Sequence, residues 1–424
     1  MRGKQLTGVV TALATGAWLT AIGCNGSSVG SNGASGSVEG EATGGTSGSP
    51  TPPVTGSGGQ SGVVTGEGTT DGGNSGPGGV PADCHSPPPP TQMNVWTEVP
   101  APIGQTRFVV TDAFAVATDD LLFAGYVPND ADGTGTARIM RWTRGCWTVE
   151  LELGHTGFPP HPSVHGKGAD NLWASAGQQL FHRGPGGWTP FDDSWKTMVH
   201  INPFVTPPDP NLMRVRDVGP DDVWVAEASN IMHFTGGAWS VFNFDDPNYP
   251  NESASIGFFF SDIWIDGPND VFVSGGSDVV GNTMDPAFLH HWDGSAWTRF
   301  SPTIFGIPSI WRGGASLWLA APTGQSVTLF QHISDDTAPA VQVEGAPPDQ
   351  LLEIDTLWGR GADDLWGAGN NVVHFDGNTW SIVSDAPAPA VQDTHNPETF
   401  VTGDAHAVWL VAPGPRFFRN LTGP

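Results

Sequence analysis

The chain has 424 residues and a formal net charge of −27, from 43 acidic against 16 basic residues. So acidic a chain lacks the basic surface that grips phosphate backbones, which excludes a nucleic-acid partner. Its 18 tryptophans against 2 tyrosines, and its 3 cysteines, are the compositional features that any organisation has to explain.

Arg2 and Lys4 precede a run from Leu6 to Ile22 that is mostly apolar or small. A basic start followed by such a run is the form of an export signal, here residues 1–23. Ala21-Ile22-Gly23-Cys24 resembles the lipobox of bacterial lipoproteins. The resemblance implies cleavage before Cys24 and acylation of its thiol, so that the membrane is met through a lipid anchor only. Residues 24–92 are rich in Gly, Ser, Thr, Val and Pro. They are too poor in large apolar groups to offset the entropy of ordering, which predicts a disordered tether. With Cys24 lipidated, Cys84 and Cys146 remain, and an exported chain lives where disulfides persist, so the two are expected to pair.

From residue 93 the texture changes. Strand-like runs alternate with turn clusters and no long helical periodicity appears, so residues 93–424 are expected to be all-β. An aromatic recurs at Phe123, Trp173, Trp224, Phe272, Trp318, Trp366 and Trp409, about 43 to 51 residues apart. A second follows at Trp147, Trp188, Trp239, Trp297 and Trp380. It lies about 15 residues on in three units and about 25 in those of Phe123 and Phe272, which places an insertion of about ten residues between the second and third strands there. Asp293-Gly294, Asp376-Gly377, Gly186-Gly187 and Gly236-Gly237 supply the positive φ of tight hairpins.

Each unit therefore offers four strands, typified by Ile354 to Trp358, the Asp-Val-Trp type, the Val-x-His-Phe type, and Trp380 to Val383. Val341-Gln342-Val343 is the candidate fourth strand of the unit that lacks a second Trp. One such sheet cannot bury both faces alone, and packing sheets around an axis solves that. The unit of Trp409 ends after three strands, while Val95 to Val99 reads as a fourth strand with nothing before it. Joining them predicts a seven-bladed β-propeller of four-stranded antiparallel blades, closed by an N-terminal strand in the last blade. The Gly-Gly-x-Trp and Asp-Gly-x-x-Trp turns resemble the Trp-rich repeats of secreted lipoproteins in myxobacteria and related bacteria, and more remotely the kelch and Asp-box propellers. That resemblance covers residues 93–424 and implies a propeller, without a shared activity.

Antiparallel order puts second-to-third and blade-to-blade connections on one face, and there the chain is long. Phe158, Phe204 and Tyr249 lie in these connections among prolines and are the candidate ligand-binding residues for a protein or glycan. His182, His233, His291 and His374 each stand six residues before the second Trp, with Arg141 in that place in the first unit. Equivalent positions in different blades lie far apart, so a bonding role within each blade is expected rather than a metal site. Asp222, Asp270 and Asp364 sit in tight turns and are expected to bond local backbone. Asn129 to Thr134 resembles part of a calcium loop without its distal Glu. No other cofactor or resident metal is expected, and no catalytic residue is assigned. The sequence points to a lipid-anchored envelope protein, at the outer membrane or cell surface rather than the inner membrane. Its propeller would be a non-enzymatic binding or scaffold module, the alternative being a polysaccharide hydrolase or lyase that uses loop carboxylates.

Overall fold

A computed structural model describes Cys84 and residues 93–102, 107–129, 135–155, 161–199, 212–227, 230–243, 256–279, 287–300, 309–322, 328–333, 341–342, 354–387, 399–412, 414 and 416–422. The chain divides into units 1–59 and 60–424, and every described residue belongs to the second.

After β1 (Trp96–Val99), the first blade is β2 (Val109–Ala117), β3 (Asp120–Pro128), β4 (Gly135–Thr143) and β5 (Cys146–His155). The second is β6 (Ser163–Gly166), β7 (Leu172–Ala176), β8 (Gln179–Gly184) and β9 (Gly187–Pro190). The third is β10 (Leu212–Gly219), β11 (Asp222–Glu227), β12 (Asn230–Thr235) and β13 (Ala238–Asn243). The fourth is β14 (Ile256–Gly267), β15 (Asp270–Val279), β16 (Ala287–Trp292) and β17 (Trp297–Phe300). The fifth is β18 (Ser309–Gly313), β19 (Ser316–Pro322), β20 (Thr328–Ile333) and β21 (Val341–Gln342). The sixth is β22 (Ile354–Gly361), β23 (Asp364–Gly369), β24 (Val372–Phe375) and β25 (Trp380–Ile382), and β26 (Phe400–Gly403), β27 (Ala407–Ala412) and β28 (Arg416–Leu421) follow.

Counted as uninterrupted repeat units, the blades number six and not the seven expected. The remaining four-stranded sheet, in the order β1-β28-β27-β26, is a composite drawn from both ends of the described region. All pairings are antiparallel, and Trp96 lies opposite Asn420 and Val99 opposite Phe417. The innermost strands adjoin in the order β2, β6, β10, β14, β18, β22, β26, and β26 returns to β2, which makes the ring of sheets a closed β-propeller. The tether and signal expected before residue 93 lie outside the described residues, apart from Cys84.

Two features of the repeat need correcting. The register places Leu122, not Phe123, opposite Arg141, in the position that Trp224 holds opposite His233. Phe123 therefore points to the other face of its blade, where its ring stands 4.9 Å from Phe417 of the composite sheet. Side-chain direction alternates with period two, so a slip of one residue changes the neighbour that an aromatic meets. The insertion expected in the first blade is also partly strand, since Val127 pairs with Thr136 and Pro128 with Gly135. In the fourth blade the second strand likewise runs on to Val279.

The core is a set of layers between blades, and the two tryptophans of a unit serve different layers. Trp224 on β11 faces forward and meets Trp297 of the next blade at 5.8 Å. Trp239 on β13 of the same blade faces back, into the cluster with Trp173 and Val215. Trp318 meets Trp380 in the same way at 5.8 Å. Trp96 takes this fourth-strand place in the composite sheet, 6.1 Å edge-on from Trp366. Val99 enters the layer on the other side, with Phe123, Trp142 and Phe417. Cys84 is disulfide-bonded to Cys146 at the start of β5, with a Cα–Cα distance of 4.6 Å.

Candidate functional site

The inner strands share a triplet that places the site. It reads Asp112-Ala113-Phe114, Ser163-Val164-His165, Arg214-Val215-Arg216, Asp262-Ile263-Trp264, Ser309-Ile310-Trp311, Thr356-Leu357-Trp358 and Phe400-Val401-Thr402. The middle residue enters the layer between blades. Apart from Ser163, the first and third residues border a central cavity of about 550 Å³.

The first position stitches each blade to the next. Asp112 Oδ2 accepts from Val164 N at 3.2 Å, and Ser163 Oγ accepts from Val215 N at 3.1 Å. Asp262 Oδ2 accepts from Ile310 N at 3.2 Å, Ser309 Oγ from Leu357 N at 3.1 Å, and Thr356 Oγ1 from Val401 N at 3.0 Å. These N–H groups belong to innermost strands, which have no further strand to pair with, and a buried donor left unpaired is expensive. Arg214 and Phe400 cannot accept. In the blades that follow them, the N–H groups of Ile263 and Ala113 turn instead to Oδ1 of Asp262 and Asp112, each at 3.0 Å. Both aspartates thus use two oxygens on main-chain donors.

The third position builds the wall, and Phe114, His165, Trp264, Trp311 and Trp358 lie toward the following blade, while Arg216 reaches across to the first. Phe114 stands 5.0 Å from His165, whose Nδ1 is 2.7 Å from Asp217 Oδ1. Arg216 donates to Asp112 Oδ2 at 2.9 Å and lies 3.7 Å from Asp262. Trp264 stands 5.7 Å from Trp311. The Trp311 indole crosses Gly359, where an added Cβ would come within 3.0 Å of it, and Trp358 crosses Gly403, with 2.8 Å left. At both glycines a backbone oxygen, of Asp364 and of Ala407, also stands in the way, so a side chain there would meet strand and indole together. The cavity therefore has most of its charge on the first four blades and a tryptophan sector on the fourth to sixth, where Asp355 is the added carboxylate.

Electrostatics follow from burial. Burial opposes ionisation of Asp112, but Arg216 and Arg214, with the hydrogen bonds of Arg216 and Ser163, overcome it and hold its carboxyl below the usual range. For Asp262 burial wins over the same arginines and pushes the carboxyl up. Burial also lowers His165, and it lowers His161, with help from Arg214, to about 4. Both imidazoles are neutral at pH 7.

The expected site residues are distributed otherwise. Phe158, Phe204, Tyr249 and Cys24, with 130–134 of the calcium-like segment, lie outside the described residues. Among the described residues no group of three or more His, Cys, Asp or Glu could hold a metal ion. The repeated histidines bond within their blades. His233 Nε2 is 2.8 Å from Asp222, His291 2.8 Å from Asp270 and His374 2.9 Å from Asp364. His182 uses Asn171 at 2.9 Å. Each ring also lies on the second-strand aromatic, Trp224 over His233 at 3.8 Å and 11°. The expectation that the turn aspartates serve local backbone is corrected, because their carboxylates take the histidines. In the first blade Asp120 takes Arg141 through two bonds of 2.6 Å. The inner triplet itself was missed, because only its spacing and its apolar middle residue repeat, and its first residue varies from Asp and Ser to Arg and Phe.

No protein-family model and no curated protein matches the chain. Solved structures do. A catalytically inactive virginiamycin B lyase from Staphylococcus aureus with quinupristin superposes with a TM-score of 0.53 at 14% identity, over 78% of this chain and 99% of that one. A GH74 enzyme of Niastella koreensis gives 0.48 at 11% identity, over 72% and 50%. The six-bladed lectin of the fungus Aleuria aurantia gives 0.38 at 14% identity, over 68% and 98%. At such identities a likeness reaches the fold and stops there: this chain is similar to β-propeller proteins.

Proposed function

We propose that the chain is an exported, lipid-anchored envelope protein whose propeller is a binding module for protein or glycan partners. The export signal of residues 1–23 and Cys24 support the location, and residues 24–92 would hold the module away from the membrane, at the outer membrane or cell surface. The observation that carries the binding reading is the central cavity: aromatic on one side, and polar on the other with carboxylates already engaged. Acid–base catalysis needs carboxylates free to exchange protons with a substrate. Asp112 and Asp262 are bound to main-chain N–H groups and face Arg216.

The test is direct. Full-length protein, expressed with its own signal, is assayed against a glycan array and envelope extracts for retention and for product, and its N-terminus is read by mass spectrometry. Retention without turnover and an acylated Cys24 are expected. Turnover abolished by Asp112→Asn would establish the hydrolase or lyase alternative, and an unmodified Cys24 would remove the anchor.

A further inference from the structure

From the same cavity, and resting on the binding reading, we infer that the central channel is a site for a neutral sugar ring, stacked on Trp264 and Trp358 and hydrogen-bonded from the Arg214 and His161 side. Indole faces are well matched to the apolar face of a sugar, and such a ring has polar edges that need partners.

Three observations converge on it. First, tryptophan at the third triplet position runs through three successive blades, at Trp264, Trp311 and Trp358. The first and last of these are half-buried, and Trp311 is 3% exposed. Second, the indoles of Trp311 and Trp358 lie over Gly359 and Gly403, where an added Cβ would come within 3.0 and 2.8 Å of them, so the aromatic wall is held in fixed planes. Third, Arg214 occupies a place that carries a structural acceptor in every other sheet but that of Phe400. The fold accommodates it only because Asp262 caps its own next N–H. Arg214 therefore borders the cavity with no acceptor role between blades.

Charge selects the ligand's class. Arg214 and Arg216 nearly balance Asp112, Asp262 and Asp355 along the wall, so neither an anion nor a cation gains a net partner. The chain's charge of −27 further repels anions at a distance.

Full-length protein is titrated, with intrinsic tryptophan fluorescence and calorimetry, against neutral oligomers of glucose, xylose, mannose and N-acetylglucosamine. Oligogalacturonate and tetramethylammonium serve as charged probes. One neutral series is expected to bind. Trp358→Ala and, separately, Arg214→Leu should then weaken it about tenfold or more, with the melting temperature of Arg214→Leu held close to that of the parent. Neutral binding that survives both changes would overturn the channel assignment and leave the binding module intact. Binding of a charged probe alone would overturn the ligand class. Capture of an envelope protein with no glycan bound would overturn this inference and not the binding reading. Absence of any partner would overturn both.

Discussion

The third blade and the composite sheet solve one problem in two ways. In the third blade a continuous chain supplies four strands, and the lock is internal. His233 on β12 stacks on Trp224 of β11 and bonds Asp222 at the start of β11. In the composite sheet Arg419 stands opposite Trp409, in the histidine's place. Its guanidinium lies 5.6 Å from both the Trp409 and the Trp142 rings and pairs with Asp119, in the turn between β2 and β3 of the neighbouring blade. The fourth strand, β1, is then held from both sides through Trp96 and Val99, and Trp147 Nε1 donates to Pro100 O at 2.7 Å. In the third blade the lock is local, whereas in the sheet assembled from both ends of the described region it crosses to a neighbour, as Arg312 also does in reaching Asp270 of the fourth blade.

The largest break in that comparison is the disulfide. Cys84 and Cys146 are 62 residues apart, and a link of that span constrains the unfolded chain by about 4 kcal/mol. Converting both cysteines to serine should lower stability by about that amount in denaturant unfolding. Hydrogen exchange should quicken first in β1 and β28 while β10–β13 stay protected. Equal quickening everywhere would show that closure is no weaker than a contiguous blade. Arg419→Met comes next, at about 2 kcal/mol, because it removes a cation held between two indoles and its ion pair with Asp119. A loss confined to the composite sheet, with the first blade unaffected, would show that the cross-blade lock carries nothing.

The lock of the third blade also carries a pH dependence. Burial lowers His233 below the ordinary imidazole value, and its bond to Asp222 only partly offsets this. Folded His233 therefore stays neutral to lower pH than it does in the unfolded chain, whose imidazole titrates near ~6.5. As pH falls below that value the unfolded state takes up the proton first, so stability is lost until the folded value is reached. Replacing His233 with Gln should cost about 1 kcal/mol at pH 7 and flatten the fall in stability between neutral and mildly acid pH. An unchanged pH profile would mean that His233 is not among the groups setting it.

Much of this architecture is written locally. The Trp-Thr opening of Trp96-Thr97, Trp147-Thr148, Trp188-Thr189 and Trp297-Thr298 marks the fourth strand, and Asp-Gly and Gly-Gly mark the hairpins, where Gly187, Gly236, Gly237, Gly294 and Gly377 take the positive φ, as Arg144 and Gly145 do in the first blade. The register of the first blade was not legible from aromatic spacing, because Leu122 fills the aromatic's place and Phe123 stands one residue away. The inner triplet was hidden for a different reason. Its first member is Asp, Ser, Thr, Arg or Phe, and what unites most of these is an acceptor aimed at the next blade, a long-range relation that no local pattern displays. The cavity's division into charged and tryptophan sectors follows from the order of blades around the ring, so it appears only once the ring is closed.

The smallest effect tests what kind of force closes the ring. Arg416 on β28 pairs with Glu98 on β1 through contacts of 3.1 and 3.3 Å, the only ion pair among the described contacts that joins these two strands directly. Both side chains are well exposed, at 43% and 54%, and water screens such a pair until its net worth falls to a few tenths of a kcal/mol. The Arg416 guanidinium also stays 4.7 Å from the Phe418 ring, which Glu98→Gln leaves in place. That change should therefore shift stability by less than about 0.5 kcal/mol, and 1 M salt should do no more. A loss several times larger would assign the seal to charge. A loss of the expected size leaves it to Trp96, Val99 and the apolar layers on either side of β1, which is how every contiguous blade is held to its neighbours.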